Sequence, residues 1–460
     1  MRIDFPSSFS KVAKYLFIGY VFLSVVYTAK HFYSSHSQSP SQDTNGIFPR
    51  GPDDKTDFTN QHPVVVAAGQ QQDLLNTPSQ QQQQQSSQQQ QVSVPWSGGV
   101  GDKDVSQSMS EQFLMSKVFS DAMGPSDLKP YYFKAQKVPE QEDITMATLV
   151  TRNRFKVLSR LATHYKGPIS AAVHVNDDDT KEETIEELRA LYAVNPDLRD
   201  YVDIHLIVDK FDRQFNMWRN VAKFFARTDY IMMLDVDFHL CTDFRKSIRN
   251  NPAIMDKLRA GKTALVVPAF EYLVQDDGLD WRTFPTTKAQ LLQEVEEDKI
   301  DMFHKSWLRG HGSTNYTQWY QTPTDSALAQ PYKVVDYNFS YEPYIIYKKE
   351  GSPWCDERFI GYGANKAACL YEIYLSGIDY YVLPADFLIH QTHEYPEETR
   401  RKERQYNRKL YSNFREELCL RYSRLFVATG AWDEPLADNL KTECQKIRGF
   451  RSTIKGPTEA

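Results

Sequence analysis

Two carboxylates, Asp235 and Asp237, stand i, i+2 at the end of the short apolar run Tyr230–Leu234. An apolar run this short, followed by polar residues, predicts a buried central strand rather than a helix. The carboxylates then fall where the strand leaves the sheet, the edge at which ligands collect in open α/β sheets. Two acidic groups on one turn are a half-site for a hard divalent cation such as Mn²⁺ or Mg²⁺. A solvated loop that happens to carry two Asp is the plain alternative. A metal held by two neighbouring Asp needs a further protein ligand from elsewhere. His390, at the end of the run Phe387–Ile389, is a candidate, although a core or surface histidine would look the same.

The surrounding pattern positions these groups. Ile144–Val150, Ile169–Val175 and Tyr201–Val208 read as buried strands. Helical stripes lie between them at Phe155–Tyr165, Ile185–Tyr192 and Phe215–Phe225. Thr263–Phe270 reads as a further strand. This alternation predicts an α/β domain with a mostly parallel, doubly wound sheet over residues 143–424. The second half is irregular and aromatic-rich, with a helix at Ala367–Leu375 and a strand at Tyr380–Leu383. The charged stretch from Arg400 to Lys409 reads as a solvated helix face, and residues 425–460 read as a tail.

The N-terminal third is different. Tyr15–Ala29 is almost uncharged between Lys14 and Lys30, and no small-x-small cleavage pattern follows it. It reads as a signal anchor with residues 1–14 cytosolic and the rest lumenal, short for a span but flanked by lysines that can snorkel. Residues 30–100 form a Gln/Ser-rich stem without enough apolar surface to fold. Residues 101–142 are a neck with one short helix near Glu111–Phe119. The net charge of −6 gives no basic footprint for nucleic acid. Five cysteines without a C-x-x-C pair argue against a structural zinc site and allow one or two disulfides with a thiol left over. Asn315-Tyr316-Thr317 and Asn338-Phe339-Ser340 are glycosylation sequons.

A strand-end acidic pair on an α/β sheet behind a lumenal anchor points to a nucleotide-sugar glycosyltransferase. There, a divalent metal offsets the charge that develops on the diphosphate leaving group. From about Asp143 to Tyr422 the chain also resembles the family 49 glycosyltransferases. These include the glucuronyltransferase domain of LARGE and a related β-1,4-glucuronyltransferase. The resemblance rests on Asn216-Met217-Trp218-Arg219-Asn220, Leu234-Asp235-Val236-Asp237-Phe238, and His311-x-x-Thr314-Asn315-x-x-x-Trp319. It also rests on Glu342-Pro343-Tyr344, Asp356-x-Arg358-Phe359-x-x-Tyr362-Gly363-x-Asn365-Lys366, and Val382-Leu383-Pro384 followed by Ile389-His390.

That resemblance implies a GT-A fold, a UDP-sugar donor (glucuronic acid in most of the family), a glycan or glycoprotein acceptor, a divalent metal and inversion at the anomeric carbon. It implies that Asp235 and Asp237 serve metal and UDP-ribose, with Asp237 the direct ligand, and that His390 is the late metal ligand. It also implies that Arg219 and Asn220 approach the nucleotide, unless Arg219 is only a surface ion pair. An inverting transfer needs a carboxylate base. Asp356 is the first candidate and Glu357 the second, with an Asp356–Arg358 structural pair as the alternative. Trp319, Tyr344 and Tyr362 are sugar-facing aromatics or core. The chain has room for one transferase domain where LARGE carries two, so it is expected not to polymerise a disaccharide alone. Cys355 and the glutamine-rich stem depart from the family pattern. The competing readings are a lumenal glycan-binding protein on an inactive transferase fold and a metal-dependent hydrolase.

Overall fold

The computed structural model describes residues 91–96, 105–110, 127–210, 213–324, 330–393, 400–448 and 450, all within the unit Ser86–Ala460. The expected cytosolic tail, anchor, most of the stem and the helix near Glu111–Phe119 lie outside these residues. The end of the stem departs from its expected lack of structure: β1 (Gln91–Trp96) and β2 (Val105–Ser110) pair antiparallel. Val92 and Val94 alternate with polar residues there, the period of a strand.

The main body begins with β3 (Asp127–Phe133), β4 (Ile144–Val150), α1 (Phe155–Tyr165), β5 (Ile169–Asn176), α2 (Lys181–Val194), α3 (Pro196–Tyr201) and β6 (Val202–Asp209). It continues with α4 (Phe215–Phe224), β7 (Tyr230–Met233), β8 (Phe238–Leu240), α5 (Phe244–Arg249), α6 (Pro252–Arg259), β9 (Thr263–Val267) and β10 (Ala269–Tyr272). Then come α7 (Lys288–Glu296), β11 (Ile300–Met302), α8 (Tyr316–Gln321), β12 (Tyr332–Lys333), β13 (Tyr344–Lys348), α9 (Asn365–Leu375), β14 (Asp379–Val382), β15 (Leu388–His390), α10 (Arg400–Ala428) and α11 (Asp438–Cys444).

A nine-stranded sheet has the order β12-β14-β9-β13-β7-β4-β5-β6-β3, and a four-stranded sheet the order β11-β10-β15-β8. The run β7-β4-β5-β6 is parallel, as is β14-β9, whereas β13 runs antiparallel between β9 and β7. This is the α/β, GT-A-like arrangement with a largely parallel sheet that the resemblance implied. Parallel strands buried on both faces read as continuous apolar runs, and every residue of β6 is buried. Its polar members have partners: Asp203 accepts from Arg227 at 2.7 Å and from the Ala135 amide at 2.9 Å.

Three strands of the large sheet hand the chain to the small one: β7 to β8, β9 to β10 and β14 to β15. The expected single strand Thr263–Phe270 is divided in this way. Pro268 lacks the N–H needed to continue the ladder, and its carbonyl instead accepts from the Leu388 amide at 2.8 Å. The Asp235–Asp237 turn makes the parallel step between β7 and β8.

Ordered structure runs beyond the expected 143–424 boundary at both ends. β3 adds an antiparallel edge to β6. The expected tail packs as core, with Ala437, Leu440 and Cys444 buried and Cys444 disulfide-bonded to Cys419 on α10. Gly377 has φ +92°, and a Cβ there would meet the Leu436 side chain at 2.3 Å, so this contact requires glycine. α10 buries Tyr411, Phe414, Leu418, Tyr422 and Phe426, one face at helical spacing. Its first turns are mostly solvated, as expected, but Asn407 is buried and Glu403 is half-buried. A second disulfide joins Cys355 to Cys369, and Cys241 is a buried free thiol. Asn315 is exposed and caps α8 by accepting from the Gln318 amide. Asn338 is half-buried. Among the described residues, no helix is long and apolar enough to cross a membrane.

Candidate active site at the junction of the two sheets

Asp235 leaves the end of β7 and meets three partners from distant segments. Its Oδ2 accepts from the Tyr344 hydroxyl at 2.9 Å and from Lys366 Nζ at 3.2 Å. Its Oδ1 lies 3.4 Å from Arg219 Nη2. Burial alone would raise the Asp235 carboxyl, but Lys366 and Arg219, helped by the Tyr344 hydroxyl, hold it well below the usual carboxylate range. Lys366 sits at the start of α9 with its ammonium 3.2 Å from the centre of the Tyr344 ring. Burial lowers its pKa, and Asp235 and Glu342 oppose that shift. Asp235 is therefore ionised, and its orientation is fixed.

Asp237, two residues later, has different company. Its side chain approaches His390 and His393, so that one ligand atom from each of the three lies within 4.8 Å of the others. His390 ends β15 beside Phe238 on β8, and the next amide, from Gln391, donates to the Asp237 carbonyl at 2.9 Å. This backbone bond locks the acidic turn to the histidine strand. Burial pushes the His390 imidazole down to about 3, with Asp237 opposing the shift. It is thus neutral at working pH, as a metal-ligating imidazole must be. Arg154 Nε is 2.6 Å from Asp237 Oδ1, and His393 Nε2 is 3.2 Å from Oδ2. One carboxylate and two imidazoles are a donor set for a divalent transition cation, and Arg154 supplies positive charge beside the same carboxylate. The expected Asp237–His390 pair is brought together. Asp235 lies outside this cluster, with its oxygens engaged by Tyr344, Lys366 and Arg219.

Arg219 and Asn220 lie on α4, where they organise the loop after β13. Arg219 Nη1 donates to Asn216 Oδ1 at 2.9 Å and to Asn365 Oδ1 at 2.7 Å. Asn220 uses both ends of its amide on the loop. Its Nδ2 donates to the Cys355 carbonyl at 2.8 Å and to Glu357 Oε1 at 2.9 Å, and its Oδ1 accepts from the Cys355 amide at 2.9 Å. Asn220 was expected at the nucleotide, and its geometry is that of a loop holder. Arg219 is buried and touches Asp235, so the surface ion-pair alternative does not describe it.

Asp356 has both carboxylate oxygens on Arg358, the closest at 2.6 Å, and Arg358 also reaches Glu417 on α10 at 2.9 Å. Glu403 on the same helix accepts from the Tyr362 amide at 2.9 Å and pairs with Arg213 at 2.8 Å. Cβ atoms at Gly361 (φ +77°) or Gly363 (φ +90°) would strike Glu403 or Arg404. The loop is thus clamped by α4 on one side and α10 on the other, and the Cys355–Cys369 disulfide ties it to α9. Of the aromatics, Trp319 is core: it is fully buried and donates to the Leu383 carbonyl at 3.0 Å. Tyr344 serves Asp235. Tyr362 is half-buried and meets Phe215 edge-on at 5.3 Å.

Sequence reasoning did not single out His393, Lys366 or Arg154 as site residues. His393 had a signal, since it follows His390 by three residues just past an apolar strand. Lys366 lay inside a quoted motif without a role. Arg154, in the turn before α1, carries no local mark.

Residues 143–215 and 209–423 match the family described as glycosyl-transferase for dystroglycan. The chain is 31% identical over 270 residues to the xylosyl- and glucuronyltransferase LARGE2s of Danio rerio, covering 57% of this chain and 33% of that protein. It is 32% identical over 264 residues to LARGE2 of Rattus norvegicus (55% and 35%) and 29% identical over 270 residues to LARGE1 of Homo sapiens (57% and 33%). The chain thus spans about a third of the length of these relatives. Among solved structures, GalNAc-T7 with UDP, GalNAc and Mn²⁺ aligns at a TM-score of 0.33 and 10% identity, covering 55% of this chain and 44% of that one. With the family match extending from β4 through most of α10, across both sheets and the site at their junction, this chain belongs to the family of glycosyl-transferases for dystroglycan.

Proposed function

We propose that the protein is a metal-dependent inverting glycosyltransferase that moves a sugar, glucuronic acid, from a UDP-sugar to a hydroxyl of a glycan or glycoprotein. The observation that carries this reading is the meeting of Asp237, His390 and His393 beside an Asp235 already fixed by Lys366, Arg219 and Tyr344. Asp237 and the two histidines would hold Mn²⁺ or Mg²⁺, which when bound neutralises charge on the diphosphate. Asp235 would use its remaining acceptor capacity on ribose hydroxyls. Arg154, beside Asp237, is placed to balance donor anions, including the carboxylate of a uronic acid.

In the transfer, the acceptor oxygen bonds to the anomeric carbon as the bond from that carbon to the UDP oxygen breaks. The acceptor proton passes to Asp356. The LARGE relatives, named as xylosyl- and glucuronyltransferases, support glucuronyl transfer, and the family match supports transferase chemistry in general. The proposal includes a Golgi, single-pass type II placement through Tyr15–Ala29. Protease protection of a C-terminal tag in intact microsomes tests it, and digestion without detergent would refute it.

The deciding experiment is a screen of the purified protein against UDP-sugars with Mn²⁺, scored by UDP release with and without glycan acceptors. Acceptor-stimulated release from UDP-glucuronate is expected. Glycan binding without release from any UDP-sugar would favour a glycan-binding protein on an inactive fold instead.

A further inference from the structure

Most of the large aromatic side chains are buried, yet Trp307 is 44% exposed and its neighbour Leu308 62% exposed. Both lie on the segment between β11 and α8, which is tied to the active site at each end. At its start, the His304 ring stacks on Phe303 at 3.9 Å, and Phe303 in turn lies 4.9 Å from the His390 ring. At its end, the Gly310 carbonyl accepts from the Glu342 amide at 2.7 Å, two residues before Tyr344, which holds Asp235. His311 is buried and lies parallel to the Tyr344 ring at 6.4 Å. His304 adopts a left-handed conformation at φ 57°, which reverses the chain and turns the segment outward.

The indole has a defined backing. A Cβ added at Gly310 would meet Trp307 Cε3 and Cζ3 at 2.7 Å each, so the six-membered part of the indole rests where only glycine fits. The amide of Trp307 donates to the His304 carbonyl at 2.7 Å, and the amide of Gly310 donates to the Trp307 carbonyl at 3.0 Å. The ring is held against its own turn with substantial surface left in water, four residues along the chain from Phe303, whose ring lies 4.9 Å from that of His390. Exposed His304 and Arg309 flank it with hydrogen-bond donors. A flat apolar surface flanked by polar groups, on a segment tied at both ends to the site, matches the amphipathic faces of a pyranose, whose axial C–H groups are apolar and whose equatorial hydroxyls are polar.

We propose that Trp307 is a platform for a pyranose ring of the acceptor, with Gly310 as the seat that keeps the indole flat. Only the acceptor assignment rests on the transferase reading; the platform itself does not. The test is binding of methyl and p-nitrophenyl β-pyranosides of xylose, glucose, galactose and glucuronic acid to the full-length protein. Ligand-observed NMR reports the sugars, and calorimetry of UDP with Mn²⁺ is run in parallel. Trp307→Ala should weaken pyranoside binding about tenfold, the scale of a tryptophan hot spot, and leave UDP affinity unchanged. Trp307→Phe should stay within about threefold of wild type. Gly310→Ala, which displaces the indole without removing it, should behave like Trp307→Ala.

The inference is overturned if wild type binds none of these sugars or if Trp307→Ala binds them as wild type does. It is also overturned if UDP affinity falls in step, which would make the segment a support of the metal site. Binding through Trp307 without transfer from any UDP-sugar would sink the transferase reading and leave the platform standing. Transfer with an unchanged acceptor KM in Trp307→Ala would do the reverse.

Discussion

The turn between β7 and β8 and the loop between β13 and α9 each carry a pair of acidic residues, and the two pairs are held in opposite ways. In the turn, Asp235 is held by Lys366, Arg219 and Tyr344, while Asp237 faces two imidazoles and one guanidinium. The turn therefore separates one fixed carboxylate from one that can share its charge with a cation. In the loop, Glu357 is tied inward to Asn220 and Asp356 outward to Arg358, and the backbone is clamped between α4 and α10. Adjacent acidic residues acquire different chemistry through the partners that the tertiary fold brings to each. Asp237 has imidazole nitrogens beside it, the donors that a metal takes, whereas Asp356 has a guanidinium.

The comparison breaks most sharply at Asp237. Asp237→Ala should abolish transfer while leaving the thermal transition close to wild type, because the side chain lies at the sheet edge and outside the core. Mn²⁺ binding by calorimetry should be lost with activity. Full activity in the presence of a chelator would remove the metal from the mechanism.

The loop is tested next. Asp356→Asn should lower kcat by about 10²–10⁴-fold, the usual worth of a general base, with UDP affinity retained. Glu357→Gln should cost only a few-fold, since its Oε1 accepts from Asn220 within the fold rather than facing a ligand. The reverse ranking would exchange the two roles. Two active variants would place the base outside this loop.

His393 sharpens the picture of the turn. His393→Ala should raise the Mn²⁺ concentration for half-maximal activity roughly 10–100-fold, with kcat largely recovered at saturating metal. An unchanged metal titration would reduce the cluster to Asp237 and His390.

The smallest effect concerns the clamp. Glu372 on α9 is buried against Arg421 at 2.9 Å. Burial raises its carboxyl from 4.5 to about 7, opposed by Arg421. Between these values the folded chain binds more protons there than the unfolded chain. The stability it contributes is present below about 4.5 and is lost as pH rises through about 7. Glu372→Gln should therefore flatten the fall in Tm between pH 5 and 8. An unaltered pH slope would show that Arg421 fully compensates the burial.

Much of this was legible from local pattern. The strands β4 to β7 and the helices between them follow apolar periodicity, because strands covered on both faces must be apolar along their length. Asp235, Asp237 and His390 stand at the ends of such runs, and a strand end is readable without coordinates. The division of Thr263–Phe270 was hidden because the residues are apolar throughout, and only pairing shows that β9 and β10 join different sheets. The packed C-terminus was hidden because its apolar anchors on α11, Leu440 and Cys444, are few, and Cys444 gains its disulfide partner from α10.

The sequence by itself determined the strands β4 to β7, where the acidic turn falls and which residue types are available to it. The tertiary structure decided which partners each group meets. Arg154 reaches Asp237 across 83 positions, and Lys366 reaches Asp235 across 131. Charge, burial and hydrogen bonding depend on distances of a few ångströms, and those distances are set by sheet order rather than by spacing along the chain.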